Sequence, residues 1–491
     1  MKFTEIADYQ VRPGAVTRWT VVPAAAARPQ DDDRPPSHLQ EDHLRNHAAA
    51  ETAQPSWLAV GFDLPGELDG TALRAAVLRW LDRHESLRSE LTCRAGELRR
   101  RTWEPGRLSL SREEIGDFEA GEEITAELRA MFNAHTDPTG WPSYVFATIS
   151  RADSVTLCMA FDHGNVDGYS ILLAAHEVQE LYAAEREGRG AGLAEVGSYV
   201  DFCAEERVFT DVFERSDEIV GEWADFVASC GGELPSFPLP LAGADLRVDP
   251  VMSGFSGPQR GFCRRLLDEE GADALETSCR RNGGSVYSGV LATLGTVANL
   301  MSQQTTFRTL LLLHTRSAQR WAQSVGWFVG VAPIQLRTPE SITGGADVLE
   351  MLPTAGNALR TAKPLSAVPL PKVSELLGTE LVPRFVLSYM DMRASPGACN
   401  WDDWNAQALH APATSADEVY LWVNRNHNGI DVTCRFPGTA AAAAVLDDYV
   451  HQIRRLLRAV AVAGLATTIP PMWTESAPER ESAPDAVSRT S

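Results

Sequence analysis

A histidine, an aspartate and a glycine stand close together in this chain, in the pattern His163-x-x-x-Asp167-Gly168. Histidine has an ordinary pKa of about 6.5, so His163 could accept a proton as a general base near neutral pH. Asp167 could fix the backbone of the same short segment without sharing the proton transfer. Glycine at position 168 would let the chain turn without a Cβ clash. From the spacing alone, a loop histidine satisfied by hydrogen bonds is an equally good interpretation.

The elements around this pattern decide whether its side chains can face a cleft. Residues 155–161 predict a β-strand, and residues 169–187 predict a helix that stops at Gly188. The inner face of that helix is apolar, with Leu172, Ala175, Val178 and Tyr182 at helical spacing. The pattern therefore lies in a strand-to-helix loop, where functional side chains are common.

The rest of the chain alternates predicted helices and strands, which indicates an α/β protein. Residues 25–34 and the run Asp31-Asp32-Asp33 predict a loop, and Asn426-His427-Asn428-Gly429 predicts a tight hairpin turn. The predicted helices span 38–50, 71–84, 199–213, 285–299 and 440–460, and the predicted strands span 57–64, 307–313, 328–336, 384–389, 419–423 and 430–436.

Length and charge narrow the function classes. A chain of 491 residues exceeds the size of one hydrophobic core, so two domains are expected. The formal net charge of −22 argues against a nucleic-acid partner. No apolar run reaches the roughly 18 residues of a membrane span, and the first residues lack a secretory pattern, so we predict a cytoplasmic protein without a transmembrane segment. Residues 471–491 are rich in Pro, Ser, Glu and Ala and predict a disordered tail.

Several other kinds of site are disfavoured by the residue spacing. The eight cysteines contain no Cys-x-x-Cys pair, so neither a structural zinc site nor a disulfide scaffold is expected, and we predict no metal. His176-Glu177 lacks the second histidine of the metalloprotease pattern His-Glu-x-x-His. An acidic carrier protein would need a local basic surface on this acidic chain. The two candidates are Arg99-Arg100-Arg101 and Arg280-Arg281, although solvated arginines on a mixed surface are the commoner case.

Several segments in the right order resemble one superfamily. The loop at His163 matches the HxxxDG signature of condensation domains, chloramphenicol acetyltransferase, plant BAHD acyltransferases and polyketide-associated (Pap-type) acyltransferases. The supporting similarities, over roughly residues 1–465, are Gly66-Glu67-Leu68-Asp69, Arg83-His84-Glu85-Ser86-Leu87-Arg88, Tyr199-Val200-Asp201-Phe202 and Ser324-Val325-Gly326-Trp327-Phe328-Val329-Gly330-Val331-Ala332-Pro333. Ala7-Asp8-Tyr9, Ser388-Tyr389-Met390-Asp391 and Trp422-Val423-Asn424-Arg425-Asn426-His427 look closest to the Pap-type branch.

This resemblance implies a fold of two chloramphenicol-acetyltransferase-like α/β lobes, over residues 1–214 and 215–470. The lobes would form a pseudo-dimeric V with a central channel. It also implies acyl transfer from acyl-CoA or an acyl-carrier protein to a hydroxyl of a lipid, polyketide or sugar. The acyl group would arrive on CoA or phosphopantetheine as substrate, without a further cofactor. We expect a monomer, with a polyketide or nonribosomal peptide synthase as a candidate partner.

The resemblance assigns roles residue by residue. His163 would be the base, Asp167 would point away from substrate toward Arg316, and Gly168 completes the motif. The predicted channel residues are Asp162, Tyr169, Gly326, Trp327, Ser388 and Tyr389. Two positions depart from the family: Asp162 replaces the first of two adjacent histidines, and Gly330 stands where asparagine is usual. The first departure favours ester formation over peptide-bond formation. An amide-forming condensation enzyme and a catalytically idle recruitment domain remain the alternatives.

Overall fold

The computed structural model describes residues 1–50, 54–94, 96–241, 257–340 and 345–463. The predicted tail at 471–491 lies outside these residues. The helices, numbered in chain order, are α1 His38–Ala49, α2 Gly70–Arg83, α3 Gly121–His135, α4 Gly168–Glu187, α5 Tyr199–Thr210, α6 Glu218–Ser229, α7 Glu269–Arg281, α8 Val286–Ser302, α9 Gly345–Ala362, α10 Leu370–Leu377 and α11 Ala440–Ala463. No helix in the described ranges is long and apolar enough to cross a membrane.

The strands form three sheets, so the prediction of a mixed α/β fold is confirmed. In chain order they are β1 Lys2–Glu5, β2 Gly14–Pro23, β3 Gln30–Asp32, β4 Trp57–Pro65, β5 Ser89–Arg94, β6 Glu97–Thr102, β7 Leu108–Phe118, β8 Tyr144–Ser150, β9 Ser154–Asp162, β10 Gln259–Asp268, β11 Thr306–His314, β12 Val329–Arg337, β13 Phe385–Asp391, β14 Gln407–His410, β15 Val419–Asn426 and β16 Gly429–Pro437. The sheet orders are β1-β14-β4-β9-β8-β2-β7, β10-β16-β15-β13-β11-β12 and β3-β6-β5.

Strand β9 is the central strand of the seven-stranded sheet and ends at the HxxxDG loop. It pairs antiparallel with β4 and β8, and every residue after Ser154 is buried. Both faces of the strand are covered, which explains its continuous apolar sequence. A strand buried on both sides is a rigid support for the residues at its end.

Strand β14 joins the two halves of the chain. Residues 407–410 pair parallel with β1 and antiparallel with β4, inside the sheet that the first half of the chain otherwise forms. The predicted boundaries 1–214 and 215–470 therefore do not separate two independent sheets. The strand has only four residues, too few for its pattern to reveal this pairing.

The second half of the chain folds around the six-stranded sheet and one large apolar cluster. Val419, Leu421 and Val423 on β15 point into this cluster, together with residues of α8 and α11. Strands alternate their side chains, so Tyr420, Trp422 and Asn424 lie on the opposite face. The predicted hairpin is present: Asn426 pairs with Gly429, whose φ of +131° suits glycine.

The prediction of a loop over residues 25–34 is wrong in part. Gln30–Asp32 forms strand β3, which pairs with Arg100–Thr102 of β6. The Asp32 carboxylate accepts hydrogen bonds from Arg34 and from the Thr102 hydroxyl at 2.7 Å each. Asp32 thus pairs with its near neighbour Arg34 and with Thr102, which is 70 positions away and whose contact composition alone cannot show.

Candidate active site

The HxxxDG loop is a short turn between β9 and α4. His163–Asn165 form one 3₁₀ turn, and the Asp162 carboxylate accepts a hydrogen bond from Gly164 N at 2.8 Å. The backbone N–H of His163 donates to Ser56 O at 2.9 Å. At the other end, Asp167 is the N-cap of α4 and accepts a hydrogen bond from Ser170 N at 2.7 Å. Both carboxylates use backbone N–H groups that a turn and a helix start leave unpaired, so they fix His163 between them.

His163 is half-buried, and its two ring nitrogens have different surroundings. Nδ1 is buried and has no hydrogen-bond partner in another residue. The Trp327 ring packs against the imidazole with 4.4 Å between the ring centroids and 44° between the planes. Burial lowers the pKa of His163 below its ordinary value. The imidazole is therefore neutral near neutral pH, and Nε2 is the nitrogen that can meet a substrate proton.

Asp167 forms a buried ion pair with Arg316, the contact that the family resemblance implies. The two guanidinium Nη atoms donate to the carboxylate oxygens at 2.7 and 3.0 Å, and Phe328 N donates to the same carboxylate at 3.0 Å. Burial alone would raise the pKa of Asp167, but Arg316 and the Ser170 hydrogen bonds hold it below its usual value. The carboxylate is occupied by these partners, so Asp167 positions the loop.

The segment that carries Trp327 is fixed to the loop and to α5. Ser170 Oγ accepts from Gly326 N at 3.1 Å and donates to Gly326 O at 2.9 Å. The Tyr199 hydroxyl donates to Trp327 O at 3.2 Å. The predicted channel residues Gly326 and Trp327 are thus brought to the HxxxDG loop, and Tyr199 supports Trp327.

Gly326 and Gly168 differ in what a side chain would meet. A Cβ at Gly326 would lie 2.3 Å from the Tyr199 ring. A Cβ at Gly168 would lie 3.7 Å from Phe3, which is ordinary contact, and φ there is outside the left-handed region. The expectation that position 168 requires glycine to avoid a clash is therefore wrong for this backbone. Position 326 does require glycine, because the Tyr199 ring leaves no room for a side chain.

We expect Gly326→Ala to destabilise the fold by about 1–3 kcal/mol, because the methyl group overpacks the contact with Tyr199. The displaced segment should also lower acyl-transfer activity through Trp327. Gly168→Ala is the matched control and should change the free energy of unfolding by less than the Gly326 variant. Urea unfolding followed by tryptophan fluorescence measures both. Equal stability of the two variants would contradict this packing argument.

Two of the other predicted channel residues, Tyr169 and Ser388, lie on different elements. Tyr169 is half-buried, with its ring centroid 5.0 Å from Arg316 Cζ. Ser388 lies on the same face of β13 as Met390, whose Cε would be 3.9 Å from a Cβ on Gly168.

Tyr389, also predicted to line the channel, does not share a face of β13 with Ser388. This residue lies on the other face of β13, where its ring stacks on Tyr287 at 4.8 Å. Ser388 and Tyr389 are neighbours on one strand, and alternation sends their side chains to opposite faces, so only one of them could face the loop.

Asp162 has partners that the sequence did not indicate. Its carboxylate is 2% exposed and lies 3.0 Å from His43 Nε2 and 2.8 Å from the Ser56 hydroxyl. Predicting this contact requires knowing that α1 crosses the end of β9, and a single histidine on a helix carries no such signal.

The segment that resembles the superfamily's Arg-His-Glu motif contacts the backbone just before Trp327. Ser86 Oγ donates to Val325 O at 2.9 Å, one residue before Gly326. His84 Nε2 contacts the buried carboxylate of Glu177, which also accepts from Arg83 at 3.0 Å. Glu177 is thus structural, in agreement with the absence of a complete metalloprotease pattern.

Most arginines of the two basic segments form hydrogen bonds or ion pairs within the protein. Arg100 is buried and donates to Ser89 Oγ at 2.7 Å, while Arg99 and Arg101 pair with glutamates on their own hairpin. Arg280 pairs with a glutamate one helical turn away. Arg100 therefore serves the fold, and the triplet is not a continuous basic surface.

The chain is similar to known proteins over most of its length. The family model described as "Condensation domain" matches residues 30–384. The chain is 26% identical over 480 residues to "Trehalose-2-sulfate acyltransferase PapA2" of Mycobacterium tuberculosis (strain ATCC 25618 / H37Rv), covering 95% of this chain and 99% of the relative. It is 25% identical over 477 residues to "Acyltransferase PapA3" of the same strain, covering 93% and 96%.

Solved structures show the same fold. The structure named "PapA2 acyl transferase" superposes with a TM-score of 0.83 at 24% identity, covering 94% of this chain and 100% of that one. The condensation domain of Monacolin K polyketide synthase MokA superposes with a TM-score of 0.67 at 17% identity, covering 88% and 99%. At these identities the structural likeness describes the fold alone.

Proposed function

Because this chain belongs to the condensation-domain family, we propose that it transfers an acyl group from a thioester to a hydroxyl group, with His163 as the general base. The curated relatives, which match it over nearly their full length, are named as acyltransferases. The observation that carries the proposal is the half-buried His163 at the end of a buried strand, in a turn fixed by Asp162 and Asp167, and burial lowers the pKa of this histidine.

The proposed step needs one base and no covalent intermediate on the enzyme. His163 Nε2 accepts the proton of the acceptor hydroxyl while its oxygen attacks the thioester carbonyl. The new C–O bond forms, the C–S bond breaks, and the proton passes from Nε2 to the departing thiolate. Nδ1 is buried, so proton transfer is confined to Nε2. General-base catalysis of this kind contributes about 10²–10⁴-fold in rate.

Donor and acceptor remain proposals at the level of chemical class. The donor is an acyl group on CoA or on the phosphopantetheine of a carrier protein. The acceptor is a hydroxyl of a sugar, lipid or polyketide, and a sugar is the first choice because PapA2 is named for acylating trehalose 2-sulfate. Met390 of β13 lies near the loop, with its Cε 3.9 Å from a Cβ built on Gly168, and strand alternation puts Ser388 on the same face as Met390.

The experiment that tests this proposal follows thiol release from acyl-CoA thioesters of increasing chain length. Each thioester is tested alone, with trehalose, with a simple long-chain alcohol and with a simple amine. We expect release that rises with a hydroxyl acceptor, together with an ester product seen by mass spectrometry. A rise only with the amine would favour amide formation. If neither CoA thioesters nor acyl-loaded carrier proteins support acceptor-dependent release, the proposal is overturned in favour of the idle domain.

A further inference from the structure

A second histidine lies beside the catalytic turn, on α1. His43 Nε2 is 3.1 and 3.0 Å from the two carboxylate oxygens of Asp162, the residue immediately before His163. Ser56 donates to the same carboxylate at 2.8 Å, and so does Gly164 N. The carboxylate therefore ties three parts of the chain together: α1, the residue before β4, and the turn that carries His163.

One aromatic ring connects the two histidines. Trp327 meets His43 edge to face, with 5.7 Å between the ring centroids and 89° between the planes. The same indole packs on His163 at 4.4 Å. A displacement of His43 therefore changes the packing of the ring that covers the base.

The space around this pair is too small for a substrate. The polar cavity next to His43 and Asp162, which Gln40, Ser143 and Asn165 also line, has a volume of about 20 Å³. A cavity of this size holds about one water molecule. His43 and Asp162 thus have contacts suited to supporting the turn, and no room to bind a ligand themselves.

We propose that His43 and Asp162 form a histidine–carboxylate pair, which positions the catalytic turn and keeps a fixed positive charge next to His163. The inference rests on the proposed function, in which His163 is the base. This pair also gives a reason for the departure from the family at position 162, where an aspartate replaces the first histidine. The Asp162 carboxylate pairs instead with a histidine on α1, His43.

The charges around both rings support this arrangement. Burial alone would lower the pKa of His43, but Asp162, with Asp42 from the same helix, raises it above the ordinary value. Burial is the largest influence on the pKa of His163 and lowers it. A hydrogen bond to the residue's own backbone raises the pKa of His163, the charge on His43 lowers it, and Asp162 and Asp167 raise it.

Two other ionisable side chains, Arg316 and His410, lie near the base. Arg316 is paired with Asp167. His410 on β14 is neutral because burial lowers its pKa to about 3. A cationic His43 therefore favours the neutral, proton-accepting form of His163.

The test is the pH dependence of kcat/KM in His43→Gln, whose amide can still donate to Asp162. Removing the cation leaves the Asp162 charge uncompensated and favours protonated His163. The acid limb of the profile should therefore move to higher pH, by about 0.5–1 unit. Asp162→Asn removes the carboxylate charge and also lowers the pKa of His43. Its two effects on His163 oppose each other, and its shift should be smaller.

The matched control is His47→Gln, one turn further along α1, where His47 lies 3.5 Å from the exposed carboxylate of Asp137. This variant should leave the acid limb in place. An active His43→Gln enzyme with an unmoved acid limb would overturn the proposal. An acid limb that does not arise from the titration of His163 would instead contradict the proposed function.

A measurement on the wild-type protein covers the case in which His43→Gln does not fold. The imidazole Cε1–H signals in NMR spectra report the titration of each histidine. We expect His43 to remain protonated at a pH at which His163 is already neutral. The reverse order of titration would overturn the proposal without any variant.

Discussion

Replacing His163 by glutamine should lower the rate of acyl transfer by about 10²–10⁴-fold, because glutamine fills similar space but cannot take the proton of the acceptor hydroxyl. The contact with Trp327 should survive, since the amide can occupy the place of the imidazole. The pKa of His163 is lowered by burial, so wild-type activity should fall with decreasing pH only below the ordinary histidine value of about 6.5. Thiol release with a hydroxyl acceptor, measured across pH, gives both results.

The control for this variant is His451→Gln, on the exposed side of α11. It makes the same chemical change far from the turn and should retain wild-type rates. Circular dichroism and urea unfolding establish that both variants are folded. A His163→Gln protein with rates within threefold of wild type would exclude His163 as the base, and the mechanism would need another proton acceptor.

The HxxxDG loop could be predicted from the sequence because the residues that determine its structure are close together in the chain. A continuous apolar strand, a short polar loop and an amphipathic helix follow each other within residues 154–187. Asp167 caps the helix through its own near neighbour, Ser170. Interactions between residues two to four apart leave a pattern in the sequence, and strand β9 and helix α4 are found within one or two residues of the predicted ends.

Contacts between distant segments left no comparable signal. The partner of Asp162 is His43, 119 positions away, and the first sheet is completed by β14 from the last fifth of the described chain. Arg316 was located only through the family resemblance, since an arginine at a strand end is ordinary by itself. These contacts depend on how elements pack, and the packing is set by the apolar surfaces of whole helices and sheets.

The departure at Gly330 has a local explanation. A Cβ built on Gly330 would lie 2.6 Å from the backbone oxygen of Ser366, so the asparagine usual in the family has no room in this backbone. The turn at 363–367 occupies that space. The sequence shows the glycine, but the reason for it lies in a segment more than thirty residues away.

Replacing Arg316 by methionine should have the largest effect on stability. The ion pair with Asp167 is nearly inaccessible, with 5% and 3% of the two side chains exposed. Methionine keeps the length of the side chain but leaves a buried carboxylate without its cation, which costs about 3–5 kcal/mol in comparable cases. Arg320→Met is the matched control, because Arg320 lies in the same segment and pairs with Glu205 at an exposed site. An exposed pair contributes about 0–1 kcal/mol.

The double variant Arg316→Met with Asp167→Asn separates the ion pair from simple loss of packing. Without the buried charge, the double variant should be more stable than the sum of the two single changes predicts. The pH dependence gives an independent check. The folded-state pKa of Asp167 is depressed, so its stabilising contribution is complete above the unfolded value of about 3.9 and is lost as pH falls through the lower folded value.

In Arg316→Met the Asp167 carboxylate loses the interaction that lowers its pKa, so burial should dominate and raise it. Loss of stability with falling pH should then begin at a higher pH than in wild type. Urea unfolding from pH 7 to pH 4 measures this difference, with Arg320→Met expected to follow wild type. Identical pH profiles in all three proteins would mean that the carboxylate is stabilised by the backbone N–H groups of Ser170 and Phe328 alone. The fixed position of His163 would then come from the helix start, and not from the ion pair.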